Sequence, residues 1–223
     1  MKRLLMSLSA LVLTLGAVCD QTVKGSWYNS VGTNFSALFY DNSGVFKTQK
    51  LLPGVTAGVG YAIPFSAKSP FSFETGLRYN LWGGIAATGE NFDQIEVNYL
   101  SVPVMIDYHI WIDHSVCLVY QTGVMVSYGF AGKERLWGLF DDIMVSKDDP
   151  WIHDPFGESF FQMRRFDVGA VAAAGISYGA VGLKVGFSCG LMNALNPNNE
   201  MRSNHSAQLI NRSLFIEFFY NFL

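Results

Sequence analysis

The sequence has little charge, and its positive charge is nowhere concentrated. Only 15% of its 223 residues are Asp, Glu, Lys or Arg, against about 25% in ordinary soluble domains. Aromatic residues are as frequent as charged ones, so the chain has too few charges for a typical water-facing surface. The formal net charge is only −3 and no run of Lys or Arg occurs. Nothing therefore indicates a nucleic-acid partner.

Cysteine is also scarce, with three residues in the chain. Cys19 lies in the N-terminal segment treated below, which leaves Cys117 and Cys189 in the rest of the chain. The strand pattern predicts that these two side chains point to opposite faces of strands that are not neighbours. A disulfide between them is therefore disfavoured.

The N-terminus predicts a secretory signal peptide. A positively charged start precedes an apolar run over residues 4–18, and small residues follow around Cys19. This predicts a signal peptide at 1–19 and a single domain at 20–223. Two alternatives fit less well. An uncleaved anchor would need about 20 apolar residues, and the residues before Cys19 match a lipoprotein motif poorly.

What the chain has in abundance is alternation between bulky apolar residues and small or charged ones. In Phe71–Trp82, FSFETGLRYNLW, the odd positions are mostly large and apolar, which indicates a two-faced strand. Most of the segments with this pattern have nine residues or more, close to the ~9–11 that cross a bilayer at a tilt. The predicted strands cover residues 31–40, 54–65, 71–82, 100–108, 116–130, 165–178, 181–192 and 213–222.

One apolar stretch permits a second interpretation. Residues 170–195 contain glycines at the four-residue spacing of packed transmembrane helices. However, Lys184 lies near the middle, and the bulky residues follow period two on either side of Gly179-Ala180. Two strands joined by a tight turn are therefore favoured over a helix.

The connections between the predicted strands alternate strictly between short and long. The long ones cover residues 41–53, 83–98, 131–164 and 193–212. Outer-membrane barrels have short periplasmic turns and long extracellular loops. The pattern predicts an all-β fold, an eight-stranded antiparallel up-and-down transmembrane β-barrel with both chain ends on the periplasmic side.

The two faces of the predicted strands differ in charge, because the bulky face carries essentially none. An Arg or Lys turned toward lipid near the midplane would cost about 2–4 kcal/mol, so the small-residue face lines the lumen. An eight-stranded lumen is just filled by side chains. We expect a structural ion network there, with a proton or ion path as the alternative. Its predicted members are Glu74, Arg78, Asp107, Arg165, Asp167, Lys184 and Glu217.

Aromatic residues gather near the ends of the predicted strands, as in the interfacial girdles of membrane proteins. Trp111 is among those at the end with short turns. The girdle at the other end is predicted to contain Trp82, Tyr99, Tyr128, Phe130 and Phe166.

The longest connection, residues 132–164, combines aromatic with acidic residues. Loops of this length are usually functional or disordered, and its apolar content argues against disorder. Its acids lack the regular spacing of a Ca²⁺ loop, and His109 and His114 have no third ligand nearby. We therefore predict no metal and no cofactor. We predict a surface binding loop with candidate contacts at Trp137, Phe140, Trp151, His153 and Phe156.

An enzyme is the remaining alternative from the residues alone. His153-Asp154 and Ser159 lie in one long connection and His205-Ser206 in another, the kind of loops that carry catalysis in some outer-membrane acyltransferases and proteases. No nucleophile motif surrounds them. We expect no catalytic residues and no enzyme activity.

Five segments resemble the PorT-like, porin-family outer-membrane β-barrel proteins. They are FETGLRYN, YLSVP, FDVGAVAAAGISYG, GLMNALN and the aromatic last strand SLFIEFFYNFL. The resemblance covers nearly all of the mature chain. It implies the outer membrane of a Gram-negative type cell and contact with its lipid and lipopolysaccharide. The last strand resembles the insertion signal that the outer-membrane assembly machinery recognises.

The resemblance also bears on function. One member of that family is associated with protein secretion and maturation, which implies an accessory role in secretion. We expect a structural or binding role through long surface loops, with a secretion-system or extracellular partner. The alternatives are a small passive channel and a lipid-modifying outer-membrane enzyme.

Overall fold

The computed structural model describes residues 25–41, 48–88, 91–140, 143–157, 162–197 and 208–222. The predicted signal peptide lies outside them. No described residue belongs to a helix long and apolar enough to cross a membrane. The strands are β1 (Ser26–Asp41), β2 (Thr48–Lys50), β3 (Leu52–Pro64), β4 (Phe71–Thr88), β5 (Asn91–Trp111), β6 (Val116–Phe140), β7 (Ile143–Val145), β8 (Trp151–His153), β9 (Phe166–Tyr178), β10 (Val181–Gly190) and β11 (Gln208–Phe222).

Eight of these strands form a closed antiparallel ring. The order around the ring is β1, β3, β4, β5, β6, β9, β10 and β11. The ring closes where β11 pairs with β1, from Trp27 opposite Phe222 to Asp41 opposite Gln208. Closure leaves no strand edge unpaired among the eight. The predicted eight-stranded antiparallel barrel is therefore confirmed.

The two ends of the barrel differ. At one end the strands are joined by short segments, residues 65–70, 112–115 and 179–180, and this end also carries the start of β1 and the end of β11. Gly179 has φ +58°, a conformation that glycine supplies without steric cost in a two-residue turn. Residues 170–195 thus form β9, the turn and β10, and not the alternative helix. At the other end, β2 extends the sheet beside β4, while β7 and β8 pair with β6.

The outer surface of the ring is apolar and exposed. Leu77 on β4, Leu100 on β5 and Phe218 on β11 all point outward, and Phe218 has 65% of its surface exposed. A soluble protein does not expose a continuous apolar band of this size. Lipid is the environment that such a band fits.

Inward aromatic rings fill the barrel by lying against glycines. Phe215 is opposite Gly186 and Phe219 is opposite Gly182 on the neighbouring strand. A Cβ atom on Gly182 would lie 2.2 Å from the Phe219 ring, so only glycine leaves room for it. The same relation holds between Tyr28 and Gly60 across β1 and β3.

The predicted long loop over residues 83–98 was wrong. β4 continues to Thr88 and β5 starts at Asn91. The glycine pair at its start permits close approach of strands. A Cβ atom on Gly83 would lie 2.0 Å from the Ile95 carbonyl oxygen, and one on Gly84 would lie 2.6 Å from the Leu38 backbone nitrogen.

The predicted loop over residues 131–164 was also wrong in large part, because β6 runs to Phe140. A bulge explains the error. Asn98 lies opposite Ala131 and Tyr99 opposite Gly129, which leaves Phe130 as an extra residue in β6. An extra residue reverses which positions face inward. Beyond the bulge, the inward-facing residues therefore no longer fall on the positions that the alternation in the preceding part of β6 predicts.

Candidate functional site

The centre of the lumen contains a buried ion cluster that connects opposite walls. The Arg78 Nη1 atom on β4 lies 3.1 Å from Glu217 Oε1 on β11. Lys184 on β10 places its Nζ atom 3.7 Å from Glu217 Oε2 and 4.0 Å from Glu74 Oε1. All four side chains are buried. The structure thus brings together four of the seven residues predicted for the lumen network.

Neutral groups complete the hydrogen bonding of this cluster. The Tyr28 hydroxyl donates to Glu74 Oε1 at 2.9 Å, and the Thr56 hydroxyl donates to Glu217 Oε1 at 3.1 Å. Lys184 donates to Gln121 Oε1 at 3.1 Å. These residues were missed by a search for charge alone. The alternation of inward and outward positions could have identified Thr56 and Gln121. Tyr28, however, lies in the part of β1 before the predicted start of that strand at residue 31.

Asp107 joins the cluster only through neutral donors. Gln121 Nε2 donates to its Oδ1 atom at 2.9 Å, and Ser72 Oγ donates to its Oδ2 atom at 3.4 Å. Its side chain belongs to a residue that is 2% exposed. Within the described part of the chain, no Lys or Arg nitrogen lies within 4.0 Å of its carboxylate. Asp107 is therefore a buried acid without an ion-pair partner there.

The last two predicted network residues lie apart from this cluster. Asp167 is buried in the lumen and accepts a hydrogen bond from Asn211 Nδ2 at 2.6 Å. Arg165 precedes β9 and is exposed at the rim, so its placement in the lumen was wrong. Its guanidinium lies 4.5 Å over the ring of Phe156 and donates to the Gly129 carbonyl at 3.2 Å. The alternation wrongly predicted an inward-facing Arg165, because strand β9 starts only at Phe166.

The half of the lumen beyond the cluster is filled by apolar side chains. Trp82 and Tyr99 pack with ring centroids 5.2 Å apart. Both point inward, and Tyr99 is only 1% exposed, so their predicted place in the outer girdle was wrong. Other members of this apolar plug are Leu38, Val97, Met163, Leu195 and Leu209.

Two connecting segments cover the apolar plug. Met163 and Leu195 form a β-bridge, and the Arg164 amide donates to the Ala194 carbonyl at 2.7 Å. The Met163 amide donates to the Pro155 carbonyl at 2.6 Å. The lumen is therefore closed at the end with the long connections.

The other half of the lumen contains a cavity of about 410 Å³, which we call the vestibule. It reaches the turn at Gly179 and Ala180, whose exposed residues mark its mouth. Trp111, predicted for the aromatic girdle, lines it instead. Further lining side chains include Tyr28, Glu74, Asp107, His109, Lys184 and Phe219.

The structure divides the predicted surface-loop residues into packed and exposed ones. Trp151 is exposed, whereas Trp137 stacks on Phe92 with ring centroids 5.5 Å apart and planes at 8°. Phe156 packs against the apolar plug. His153 is half-buried, and the side chain of Phe140 lies outside the description. The other exposed apolar side chains of this region are Leu139, Ile143, Met144 and Ile152.

Two buried acids lie in the extension of the barrel beyond its membrane-spanning part. Asp93 on β5 and Glu134 on β6 face inward, and His153 on β8 is opposite Glu134. Burial, reinforced by the nearby Glu134 carboxylate, raises the pKa of Asp93 to about 9. The Asp93–Glu134 pair therefore holds a proton more tightly than an exposed acid does.

The residues weighed for metal binding and catalysis do not assemble where they are described. No group of three or more His, Cys, Asp or Glu that could hold a metal ion occurs among the described residues. The His109 ring lies between Ser72, at 2.9 Å from Nε2, and Cys117, whose sulfur is 3.8 Å from Nδ1. Residues 159, 205 and 206 lie outside the description.

Comparisons with known proteins give a family for this chain and several solved structures of low similarity. A family profile described as outer membrane protein beta-barrel domain matches residues 19–196. Among solved structures, Ail, the attachment invasion locus protein of Yersinia pestis, is 11% identical over 90% of this chain and 100% of that chain, with a TM-score of 0.40. Neisserial surface protein A (NspA) is 11% identical with the same coverage and a TM-score of 0.45. A comparison with curated protein sequences finds no match.

Proposed function

We propose that this chain, which belongs to the outer membrane protein beta-barrel domain family, binds an extracellular partner through the strands that project beyond its rim. The barrel lies in the outer membrane, in contact with lipid and lipopolysaccharide. The carrying observation is a group of exposed apolar side chains on β7 and β8 and the adjoining end of β6. We call it the apolar tip, and it consists of Leu139, Ile143, Met144, Trp151 and Ile152.

The apolar tip lies well away from the lipid band. Trp151 and Ile152 pair with β6 at Leu136 and Arg135, and Ile143 pairs with it at Phe140, which places the tip about 17–33 Å of strand beyond Phe130. Met144 is 69% exposed there. Lipid cannot explain apolar side chains at this distance, whereas exposed apolar patches outside the bilayer are typical of interaction surfaces.

The apolar tip is also held in a regular conformation. β7 pairs with β6 from Gly138 to Phe140, and β8 pairs with β6 from Glu134 to Leu136. Underneath, Phe156 packs against the apolar plug and under the Arg165 guanidinium. A surface ordered before binding loses less conformational entropy on association. This favours recognition of a defined partner.

The filled lumen supports a binding role over a passive channel. An eight-stranded barrel has room for its own side chains and little else. Here the ion cluster and the apolar plug occupy successive layers of the lumen. We expect no stable unitary conductance steps from the purified barrel in planar bilayers, and regular steps would favour the channel.

Site-specific photo-crosslinking in intact cells tests the proposal. A photoreactive phenylalanine analogue replaces Ile152, and a second strain carries it at Tyr178, which is exposed at the opposite end of the barrel. We expect a discrete adduct from position 152 and none of the same mass from position 178. The adduct is expected to disappear when Ile143→Ser and Met144→Ser are added, because the apolar contact area is lost.

A matched control separates apolar contact from general disturbance of the segment. Lys147→Ser, Asp148→Ser and Asp149→Ser change three exposed polar residues between β7 and β8. The adduct should persist in this triple variant. Absence of any adduct from position 152, or equal loss in both variant sets, would overturn the proposal.

The resemblance to PorT-like proteins supports a narrower version, in which the partner belongs to a protein-secretion system. Its support is the match of the FETGLRYN and YLSVP segments and of the aromatic last strand. Mass spectrometry of the position-152 adduct distinguishes a secretion component of the same cell from a molecule of another cell.

A further inference from the structure

The vestibule at the periplasmic end has an unusual charge balance. Three carboxylates, Glu74, Glu217 and Asp107, face two cations, Arg78 and Lys184, in and directly above it. Both cations lie within 4.0 Å of a glutamate, and neither lies that close to Asp107. A buried carboxylate without a counter-ion is costly, so a positive group that entered the vestibule would be stabilised more by Asp107 than by either glutamate, which already faces a cation.

The vestibule leads from its mouth to Asp107, and a single strand forms one of its walls. Asp107, His109 and Trp111 are alternate residues of β5, so they share its inward face and line the vestibule in order toward the mouth. Gly175 and Ser177 on β9 line another wall with little side-chain volume. A ligand entering past Trp111 therefore reaches the Asp107 carboxylate.

The aromatic rings of the vestibule indicate what kind of cation fits. Lys184 already lies 5.9 Å from the centroids of the Tyr28 and Phe219 rings. The rings nearer the mouth, Trp111 and Phe222, contact no cation in the described part of the chain. A cation with an apolar body would place that body against these rings and its charge at Asp107. A volume of about 410 Å³ lies within the range of small-molecule sites.

A bare metal ion fits the vestibule less well. The described residues offer no group of three His, Cys, Asp or Glu ligands. Both oxygens of Asp107 also accept hydrogen bonds from Gln121 and Ser72. Each carboxylate oxygen keeps a second lone pair that can accept from an ammonium group, whereas a divalent cation needs several oxygen ligands at once.

We propose that the vestibule binds a small organic cation from the periplasm, with Asp107 as its counter-ion and Trp111 against its apolar body. This function is independent of the apolar tip, which lies at the other end of the barrel. The proposal concerns a ligand with an ammonium group and an aromatic or alkyl chain.

The test is an NMR titration of the folded barrel in nanodiscs of zwitterionic lipid. The probe is 2-phenylethylammonium, and 2-phenylethanol and phenylacetate are the neutral and anionic controls with the same ring. We expect saturable amide shifts at Asp107, Ser177 and Gly179 with the ammonium probe. Binding of both controls should be at least about tenfold weaker, since they cannot pair with a carboxylate.

Two variants and one matched control locate the site. Asp107→Asn should weaken the probe by about tenfold or more through loss of the charge, and Ser177→Leu should abolish binding by filling the cavity without changing any charge. Asp167→Asn removes another buried lumen carboxylate that does not line the vestibule, so it should bind as the unmodified protein does. Heat-modifiable migration on gels verifies that each variant is folded.

Several results would overturn the proposal. One is equal binding of the alcohol and the ammonium probe. Another is shifts confined to lipid-facing residues, which would indicate partition into the bilayer. A third is unchanged binding by a folded Asp107→Asn or Ser177→Leu variant. If only one of these two variants folds, that variant decides.

Discussion

The two halves of the lumen differ in almost every property although the same eight strands build both. The periplasmic half contains the Arg78, Lys184, Glu74 and Glu217 cluster and the vestibule. The extracellular half is filled by Trp82, Tyr99 and their apolar neighbours and is covered by two connecting segments. The buried ion pairs lie toward the side that water from the periplasm reaches, and mainly apolar packing fills the side that faces the outside of the cell.

This difference indicates that the two halves stabilise the barrel by different means. In the ion cluster, stability depends on mutual compensation, because each charge has lost its water and is tolerated only beside its partners. In the apolar plug, stability depends on close packing and burial. The same kind of substitution should therefore lower the free energy of unfolding by different amounts in the two halves. Each half also needs its own control variant.

Arg78→Met is expected to cause the largest loss, because it leaves Glu217 buried with a single, more distant cation. Breaking a buried pair in this way costs about 3–5 kcal/mol. Urea unfolding of the barrel in detergent measures the free energy of unfolding. Arg212→Met is the matched control, since that guanidinium is exposed and lies 4.2 Å over the Phe39 ring. A loss at Arg78 no greater than at Arg212 would contradict the role assigned to the ion cluster.

Leu209→Ala tests the apolar plug on the strand that closes the ring. Leu209 is buried in the plug, so truncation should leave a cavity and cost about 2–5 kcal/mol in the same unfolding measurement. Leu214→Ala is the control, because Leu214 lies on the same strand β11 but points outward and is 46% exposed. The control should lose clearly less. Equal losses would mean that the extracellular half is loosely packed.

The smallest expected effect concerns the strand extension above the plug and depends on pH. The pKa of Asp93 is raised to about 9 from an ordinary value of 3.8, so the folded state holds this proton more tightly than the unfolded state. Its contribution to stability is complete below about pH 4 and is lost progressively as the pH rises toward about 9.

Hydrogen exchange of the β5 and β6 amides beyond the bulge measures this local stability. The protection of these amides against exchange should fall as the pH rises from about 5 to about 9, relative to their protection in Asp93→Asn. The two proteins are compared at the same pH, which removes the pH dependence of the intrinsic exchange rate. Asp148→Asn, an exposed acid between β7 and β8, should leave the pH dependence unchanged. A pH dependence that survives in Asp93→Asn would assign it to another group, such as Glu134 or His153, which lie opposite each other on β6 and β8.

Much of the fold could be predicted because it depends on local patterns. Phe71–Trp82 alternates cleanly, and its inward members Glu74 and Arg78 are buried in the lumen as that alternation requires. The errors occurred where alternation is interrupted. Phe130 forms a bulge and reverses which positions of β6 face inward, and Gly83-Gly84 permits close strand approach where a long connection was predicted.

The candidate sites were less predictable than the strands. Charge and parity indicated the lumen acids and bases, but not that Arg78 pairs with Glu217 across the barrel. Of the residues predicted for the surface loop, Trp137 stacks on Phe92 and Phe156 packs against the apolar plug, whereas the exposed Ile152 was not among the predicted contacts. Aromatic composition alone does not distinguish a side chain that packs within the protein from one that is exposed to a partner.

Local pattern was enough to predict the eight membrane-spanning strands, their two faces and the side that meets lipid, because period-two alternation and the cost of charge in hydrocarbon act residue by residue. Which charges meet across the lumen, which half is filled and where the vestibule remains became apparent from the folded barrel alone. These depend on how β1 and β11 close the ring and on the bulge in β6. Closure brings side chains from distant strands together at distances that no local pattern contains.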